Sequence, residues 1–455
     1  MSLAILSDAL KSPLTGHDVV FTGVCHDTRT LQPGDLYVAI KGENFDGHNF
    51  LAEAITAGAA GALLSRDMET PLAYVRVPDT RLALGNLAAF WRNQFKNIPV
   101  IAVTGSNGKT TVKEMIGAIL GEIGPGCVTR GNFNNDIGVP LTLARLRGGD
   151  RYAVIEMGMN HYGEIEYLSR LTRPNIALIT NAGEAHLAGV GTLEDVARAK
   201  GEIFMGLAAD GTAVLNSDDP HFPLWKSFAA LKKQLTFGLD RPADVNAEYT
   251  LTDAGSAIYL KTTTLGDIHM RVPLLGRHNV MNTLAATGAA IAAGASLEQV
   301  KTGLEKLRTV SGRLEVKQGI SGARVIDDTY NANPASLAAG LQVLKEFNGE
   351  RVLVMGDMAE LGPSAADIHY RVGELAKRIG IQRLFAIGEL SRVAVAAFGK
   401  GARHFDKHEA LIEALHDCMH AEMTVLVKGS RVMRMERIVA GIVKKSKTVE
   451  SERSR

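Results

Sequence analysis

Short apolar runs recur along the chain, each closing on a Gly, Asp or Asn cluster and followed by a helical pattern. The clearest are Val100-Ile-Ala-Val103, Ala153-Val-Ile155, Ile176-Ala-Leu-Ile179 and Thr212-Ala-Val-Leu215. A second set follows: Arg324-Val-Ile326, Val352-Leu-Val-Met355, Leu384-Phe-Ala-Ile387 and Thr424-Val-Leu-Val427. Runs of this kind predict buried strands of parallel sheets with helices between them. An Ala-rich helix is predicted over 279–293, and alternation over 247–273 predicts antiparallel hairpins attached to the first parallel sheet. Nearer the start, 34–40 reads as a strand, and 49–58 and 82–95 as helices. The pair Gly58/Gly61 reads as helix packing. The fold class is therefore α/β, in three domains: 1–82, 83–312 with a parallel sheet, and 313–455 with a second, Rossmann-like doubly wound sheet. The charged end, 444–455, is expected to be frayed.

Composition narrows the class. The chain has 455 residues, enough for about three domains. Its formal net charge is +1, which argues against a general nucleic-acid binder or a polybasic membrane protein. Cys25, Cys127 and Cys418 are odd in number and far apart, so a reducing compartment is expected. No secretory leader and no run long enough for a spanning helix is read, so the expectation is cytoplasmic, with no membrane insertion.

Polar clusters sit just after the strands, where open parallel sheets bind ligands. The strongest is Thr104-Gly-Ser-Asn-Gly-Lys-Thr-Thr111, between a buried strand and a helix. Its glycines let backbone amides approach a phosphate. Lys109 would reach the terminal phosphates and the Thr110 hydroxyl would ligate Mg²⁺. A standard phosphate loop has Gly where this chain has Val103. Glu156, after its strand, is a candidate metal carboxylate or a solvated strand end. His186, in Thr180-Asn-Ala-Gly-Glu-Ala-His186, is a ligand or a structural hydrogen-bonder. Lys200 lies on a helix that Thr192 and Asp195 would cap; composition alone makes it a solvated lysine. Asn132, Asn134 and Asn135 lie in the loop Gly131-Asn-Phe-Asn-Asn-Asp-Ile-Gly-Val-Pro140, which offers donors to a sugar or phosphate or is plain turn chemistry. Asn279 and Asn282 share a helix face and would read an adenine edge or cap the helix. Asn333 and Pro334 suit a helix start. Asp327 and Asp328 want a ribose, a cation or a basic partner.

Taken together these motifs resemble the Mur ligase family, the ATP-dependent amide ligases of peptidoglycan precursor synthesis, over nearly the whole chain. The carriers are Gly105-Ser-Asn-Gly-Lys-Thr-Thr111 (a family variant that accounts for Val103), Thr180-Asn with His186, Gly276-Arg-His-Asn279 with Asn282, and Ser311-Gly-Arg313. The Asn-rich loop, Asp327-Asp-Thr-Tyr-Asn-Ala-Asn-Pro334, Met355-Gly-Asp-Met-Ala-Glu-Leu-Gly362 and Val427-Lys-Gly-Ser-Arg431 resemble its D-alanyl-D-alanine-adding branch. Asp27-Thr-Arg29, Pro33-Gly-Asp35 and Asp46-Gly-His48 resemble a uridine-binding domain, with Thr28 where Ser is usual.

The resemblance implies ATP and Mg²⁺ (two ions) as cofactors, UDP-N-acetylmuramoyl-tripeptide and D-alanyl-D-alanine as substrates, and a monomer. It implies ATP contacts from Gly105, Ser106, Asn107, Gly108, Lys109, Thr110, Thr111, Asn282, Arg313 and Asp328. Thr28, Arg29, Asp46, His48, Asn132, Asn134 and Asn135 would meet the UDP substrate. Tyr330, Asn331 and Asn333 would border the dipeptide. Lys109, Glu156, His186 and Lys200 would be catalytic, and Thr110, Glu156, His186 and Lys200 would serve the metal, Lys200 as a carbamate. Competing expectations are a sister ligase adding diaminopimelate or lysine, a folate-type glutamate ligase, and a P-loop ATPase switch.

Overall fold

The structure is a computed structural model that describes residues 1–183, 187–308 and 310–444. Three sheets organise it. The first orders Leu14–Thr15, Tyr74–Arg76, Gly61–Leu64, Asp35–Val38 and Gly23–Cys25 side by side, parallel except for the first pair. The second runs Cys127–Val128, Ala153–Glu156, Val100–Thr104, Ile176–Ile179, Thr212–Asn216, Lys233–Phe237 and Val245–Thr252, all parallel. Gly255–Thr262 and Gly266–Val272 then add antiparallel hairpins at the edge. The third orders Glu315–Gln318, Arg324–Asp328, Met423–Lys428, Glu350–Gly356, Arg383–Ile387 and Ala402–Phe405. Only its first pair is antiparallel.

The uninterrupted apolar runs become the central strands because both faces are covered. On one face of the second sheet, Val112, Met115 and Ile116 of helix Lys109–Gly121 join Leu284 and Ala289 of helix Arg277–Ala292. On the other, Ile165, Leu168, Val196 and Trp225 form a separate core. Alanines let helix Arg277–Ala292 lie close to the sheet; a side chain at Gly288 would press on Leu235 and Val214. The third sheet is covered likewise on two faces.

Some expectations change. Strand Lys233–Phe237 has no apolar run, since it begins Lys-Gln and its middle is only half buried, so periodicity passes over it. Gly58 and Gly61 are not in one helix. Helix Leu51–Thr56 ends just before Gly58, whose φ of 89° stops it. Gly61 instead opens a strand beside Leu3. The helix expected at 82–95 is Thr80–Arg92, because the Asp79 carboxylate accepts from the Arg81 and Leu82 amides and starts it earlier. The boundary drawn at 82/83 falls inside it. Its Leu84 and Leu87 pack in the first domain's core and its Ala88 in the second's.

Candidate active site

The phosphate loop follows strand Val100–Thr104. Gly105 and Gly108 have φ of 151° and 82°. A β-carbon at Gly105 would overlap the Thr180 hydroxyl, and one at Gly108 the Asn282 amide oxygen, so both positions require glycine. Gly108 precedes helix Lys109–Gly121 without any side-chain cap. The first amides of that helix are therefore open to an anion, as the positive end of a helix dipole favours. Lys109 Nζ folds back to donate to the Gly105 carbonyl at 2.5 Å. Burial lowers its pKa, Glu156 opposes that shift and Arg313 adds to it.

Residues the sequence reading did not assign hold this loop. Thr180 Oγ1 donates to Asn107 O at 2.6 Å. Asn181 brackets the same residue, its Nδ2 donating to Asn107 O at 3.1 Å and its Oδ1 accepting from Asn107 N at 3.0 Å. Ser106 Oγ donates to Gly183 O at 3.0 Å. The available signal was their place at the end of strand Ile176–Ile179, adjacent and parallel to the strand that feeds the loop.

Parallel register sets Val103 opposite Glu156, which brings that carboxylate beside the loop. It is no solvated strand end: Glu156 is 1% exposed. Its Oε1 accepts from Asn134 Nδ2 at 2.8 Å, while its buried Oε2 has no hydrogen bond among the described residues. Lys200 comes from helix Leu193–Gly201, capped by Thr192 and Asp195 as expected. It is not solvated either, at 1% exposure. Burial first, and the charge of Lys109 second, hold its pKa well below the ordinary lysine value. His186 lies outside the described residues.

The third domain closes the site. Arg313 Nη2 donates to Thr110 Oγ1 at 3.4 Å, its guanidinium lies 4.1 Å from the Tyr330 ring centre, and its buried Nε is unpaired among the described residues. Asn333 caps helix Pro334–Lys345, and its Nδ2 donates to Asn107 Oδ1 at 2.8 Å, joining third domain to phosphate loop. Asp327 and Asp328 each found a basic partner. Lys317 Nζ reaches Asp327 at 2.5 Å, and Lys428 Nζ donates to Asp328 at 2.6 Å and to Asn331 O at 2.9 Å. Burial raises the Asp328 pKa and lowers that of Lys428, and their contact opposes both shifts. Asn107, Gly108, Asn282, Arg313, Asp328 and Lys428 line one cavity of about 850 Å³ between the two domains. Its position at strand ends and its mixed lining fit a nucleotide.

The residues expected to meet the UDP substrate divide. Thr28 is half-buried, and Arg29 is exposed and paired with Asp27 at 2.6 Å. His48 is 2% exposed and its ring is engaged by the fold. Nε2 accepts from Ser65 N at 3.0 Å, and Nδ1 faces Asp46 at 2.6 Å. It therefore shapes the Asp46 turn. Asn135 Oδ1 accepts from Gly138 N at 2.8 Å in the turn before helix Gly138–Leu143, Asn134 holds Glu156, and the Asn132 carbonyl accepts from Asn134 N at 2.7 Å.

The donor set suits Mg²⁺. A buried carboxylate oxygen without a hydrogen bond and the Thr110 hydroxyl lie beside an anion-binding helix start. Mg²⁺ commonly takes one or two protein oxygens and completes its shell with phosphate and water. Among the described residues no helix is long and apolar enough to cross a membrane.

Comparison with known proteins agrees with this geometry. Residues 20–92 match the Mur ligase family catalytic domain, 103–290 the Mur ligase middle domain, and 312–431 the Mur ligase glutamate ligase domain. The UDP-N-acetylmuramoyl-tripeptide--D-alanyl-D-alanine ligase of Escherichia coli strain K12 is 45% identical over 451 residues, covering 97% of this chain and 98% of that one. A MurF crystal structure from Acinetobacter baumannii superposes with a TM-score of 0.90 at 37% identity, over 96% of this chain and 97% of that one. The Thermotoga maritima MurF ligase, in complex with ADP, superposes with a TM-score of 0.83 at 27% identity, over 92% and 96% of the two chains. With three matched domains, a phosphate loop built to hold a nucleotide and a near full-length relative, the chain belongs to the Mur ligase family.

Proposed function

We propose that this chain uses ATP to join D-alanyl-D-alanine to the terminal carboxylate of UDP-N-acetylmuramoyl-tripeptide, in the cytoplasm and as a monomer. The observation that carries the reading is the shared wall at Asn107. The phosphate loop touches the turn before helix Pro334–Lys345 through the 2.8 Å contact from Asn333. That turn is the one the family resemblance assigns to the dipeptide, so the phosphoryl donor and the incoming amine would meet there. Relatives that match along the whole chain and carry this activity in their names supply the substrates.

A carboxylate is a poor acyl donor, so it is first phosphorylated. An acceptor oxygen attacks the γ-phosphorus, the bond to the β-phosphate bridging oxygen breaks, and ADP leaves. The dipeptide amine then adds to the acyl carbon. The tetrahedral intermediate expels phosphate, with the carboxylate oxygen still attached to it, and the amine loses a proton. For phosphoryl transfer the protein mainly positions groups and stabilises charge. The loop amides and Lys109 hold the terminal phosphates, Arg313 stands over Tyr330 at the third-domain side, and the closing domain excludes water. Mg²⁺ would neutralise phosphate charge, with Thr110 and Glu156 holding one ion and His186 and a carbamylated Lys200 serving a second. A low lysine pKa supports that carbamate, because only the neutral amine adds CO₂, releasing one proton and becoming an anionic oxygen ligand.

The test is phosphate release from ATP and Mg²⁺ with the nucleotide tripeptide, with and without D-alanyl-D-alanine. Release should require both, with the product heavier by the dipeptide. Release supported by diaminopimelate or lysine would assign a sister ligase, and release indifferent to both substrates an ATPase switch.

A further inference from the structure

Helix Lys109–Gly121 carries a second lysine one turn beyond Lys109, and the proposed reaction does not use it. Lys113 is 0% exposed. Its Nζ donates to Thr129 O at 2.8 Å and to Gly131 O at 3.2 Å. The same ammonium lies 2.8 Å from Glu114 Oε1 and 4.0 Å from Glu156 Oε2. Removing an ammonium from water is costly unless its donors are met, and here they are met by carbonyls at the entry of the Asn-rich loop. That loop has further anchors. Asn134 donates to Glu156 at 2.8 Å, and its own carbonyl accepts from Gly158 N at 2.8 Å. Arg81 of the boundary helix donates to Asp136 at 2.7 Å. The loop thus touches the first domain, the buried carboxylate and, through Lys113, the helix that begins at the phosphate loop.

We infer that Lys113 is a positioning residue that sets the Asn-rich loop, and with it the acceptor carboxylate, in register with the phosphate loop. The inference rests on the ligase reading above, in which that loop borders the nucleotide tripeptide. It makes acceptor binding depend on a side chain of the ATP-binding helix that contacts neither substrate. ATP binding itself uses the loop amides and Lys109, which keep their own support from Thr180 and Asn181.

The experiment compares wild type, Lys113→Met and Lys113→Gln. It combines calorimetric titration with UDP-N-acetylmuramoyl-tripeptide, steady-state KM values for that substrate and for ATP, and thermal unfolding as a fold control. Met removes every donor, whereas Gln retains an amide to share between the two carbonyls. The expected result is an acceptor Kd and KM raised about tenfold by Met and about threefold by Gln, with the KM for ATP within about twofold of wild type. A merely structural lysine would lower the unfolding midpoint and change both KM values alike, and that outcome overturns the inference. Wild-type acceptor affinity in a folded Met variant overturns it as well. Should the Met variant not fold, the Gln variant decides on the same selective rise, and an unchanged acceptor KM there overturns it. Wild type that neither binds nor extends the nucleotide tripeptide refutes the ligase reading instead.

Discussion

At Lys200, burial and the neighbouring charge of Lys109 act in one direction, against the ammonium. Both favour the neutral amine, the form that adds CO₂ to give a carbamate. Replacing it by Ala should lower phosphate release about a hundredfold or more, the scale seen when one preorganised charge-stabilising group is lost. Added short carboxylates such as formate should restore part of it, and an unchanged rate would refute the role. His278 shows the same physics in the nucleotide cavity. Burial, then the charge of Lys428, pushes its pKa down from 6.5 to about 4. The unfolded chain therefore takes up this proton at higher pH than the folded chain. Between about 6.5 and 4 the unfolded state binds more protons, so this residue makes stability fall as the solution is acidified. Denaturant unfolding across that range should show a shallower loss for His278→Gln than for wild type. Parallel curves would contradict the assignment. Residue chemistry was partly legible from position alone. Glu156 ends its strand and Lys109 opens the helix that follows the neighbouring strand, and the register that sets Val103 opposite Glu156 brings the carboxylate beside the loop. An Asp-Gly-His string does not reveal that the Ser65 amide would engage the His48 ring.

Elements were legible where burial is uniform along them. Strands Val100–Thr104 and Ile176–Ile179 are buried at every position, so their apolar runs announce them. Lys233–Phe237 is a sheet member by its neighbours, pairing with Thr212–Asn216 over five residues, and its own pattern is mixed. The helix at the first boundary starts two residues before the apolar pattern predicts, because the Asp79 cap sets its first turn. The turn before helix Lys109–Gly121 shows how tightly an element can constrain one position. Gly108 combines a φ of 82° with close approach to Asn282. Gly108→Ala should therefore cost about 1–3 kcal/mol of stability and weaken ADP binding, measured by denaturant unfolding and calorimetry. Wild-type values for both would mean that the loop tolerates a conformation these contacts exclude.

Across the whole molecule, the site belongs to no single domain. The second sheet supplies the phosphate loop and Glu156. The third supplies Arg313, Asp328 and the Asn333 contact. The first reaches the Asn-rich loop through Arg81 and Asp136. Sequence patterning located the phosphate loop, Glu156 and Asp328 at strand ends but not the contacts between them, because Asn333 and Asn107 are 226 residues apart and no local signal links them. In an acyl-phosphate reaction the acceptor's carboxylate oxygen leaves with the phosphate. The decisive experiment runs the reaction on UDP-N-acetylmuramoyl-tripeptide whose terminal carboxylate carries heavy oxygen and weighs the phosphate released. Each phosphate should carry one labelled oxygen, form only when D-alanyl-D-alanine is present, and be matched by peptide product. Unlabelled phosphate would mean that water had attacked ATP and would contradict the acyl-phosphate ligase outright.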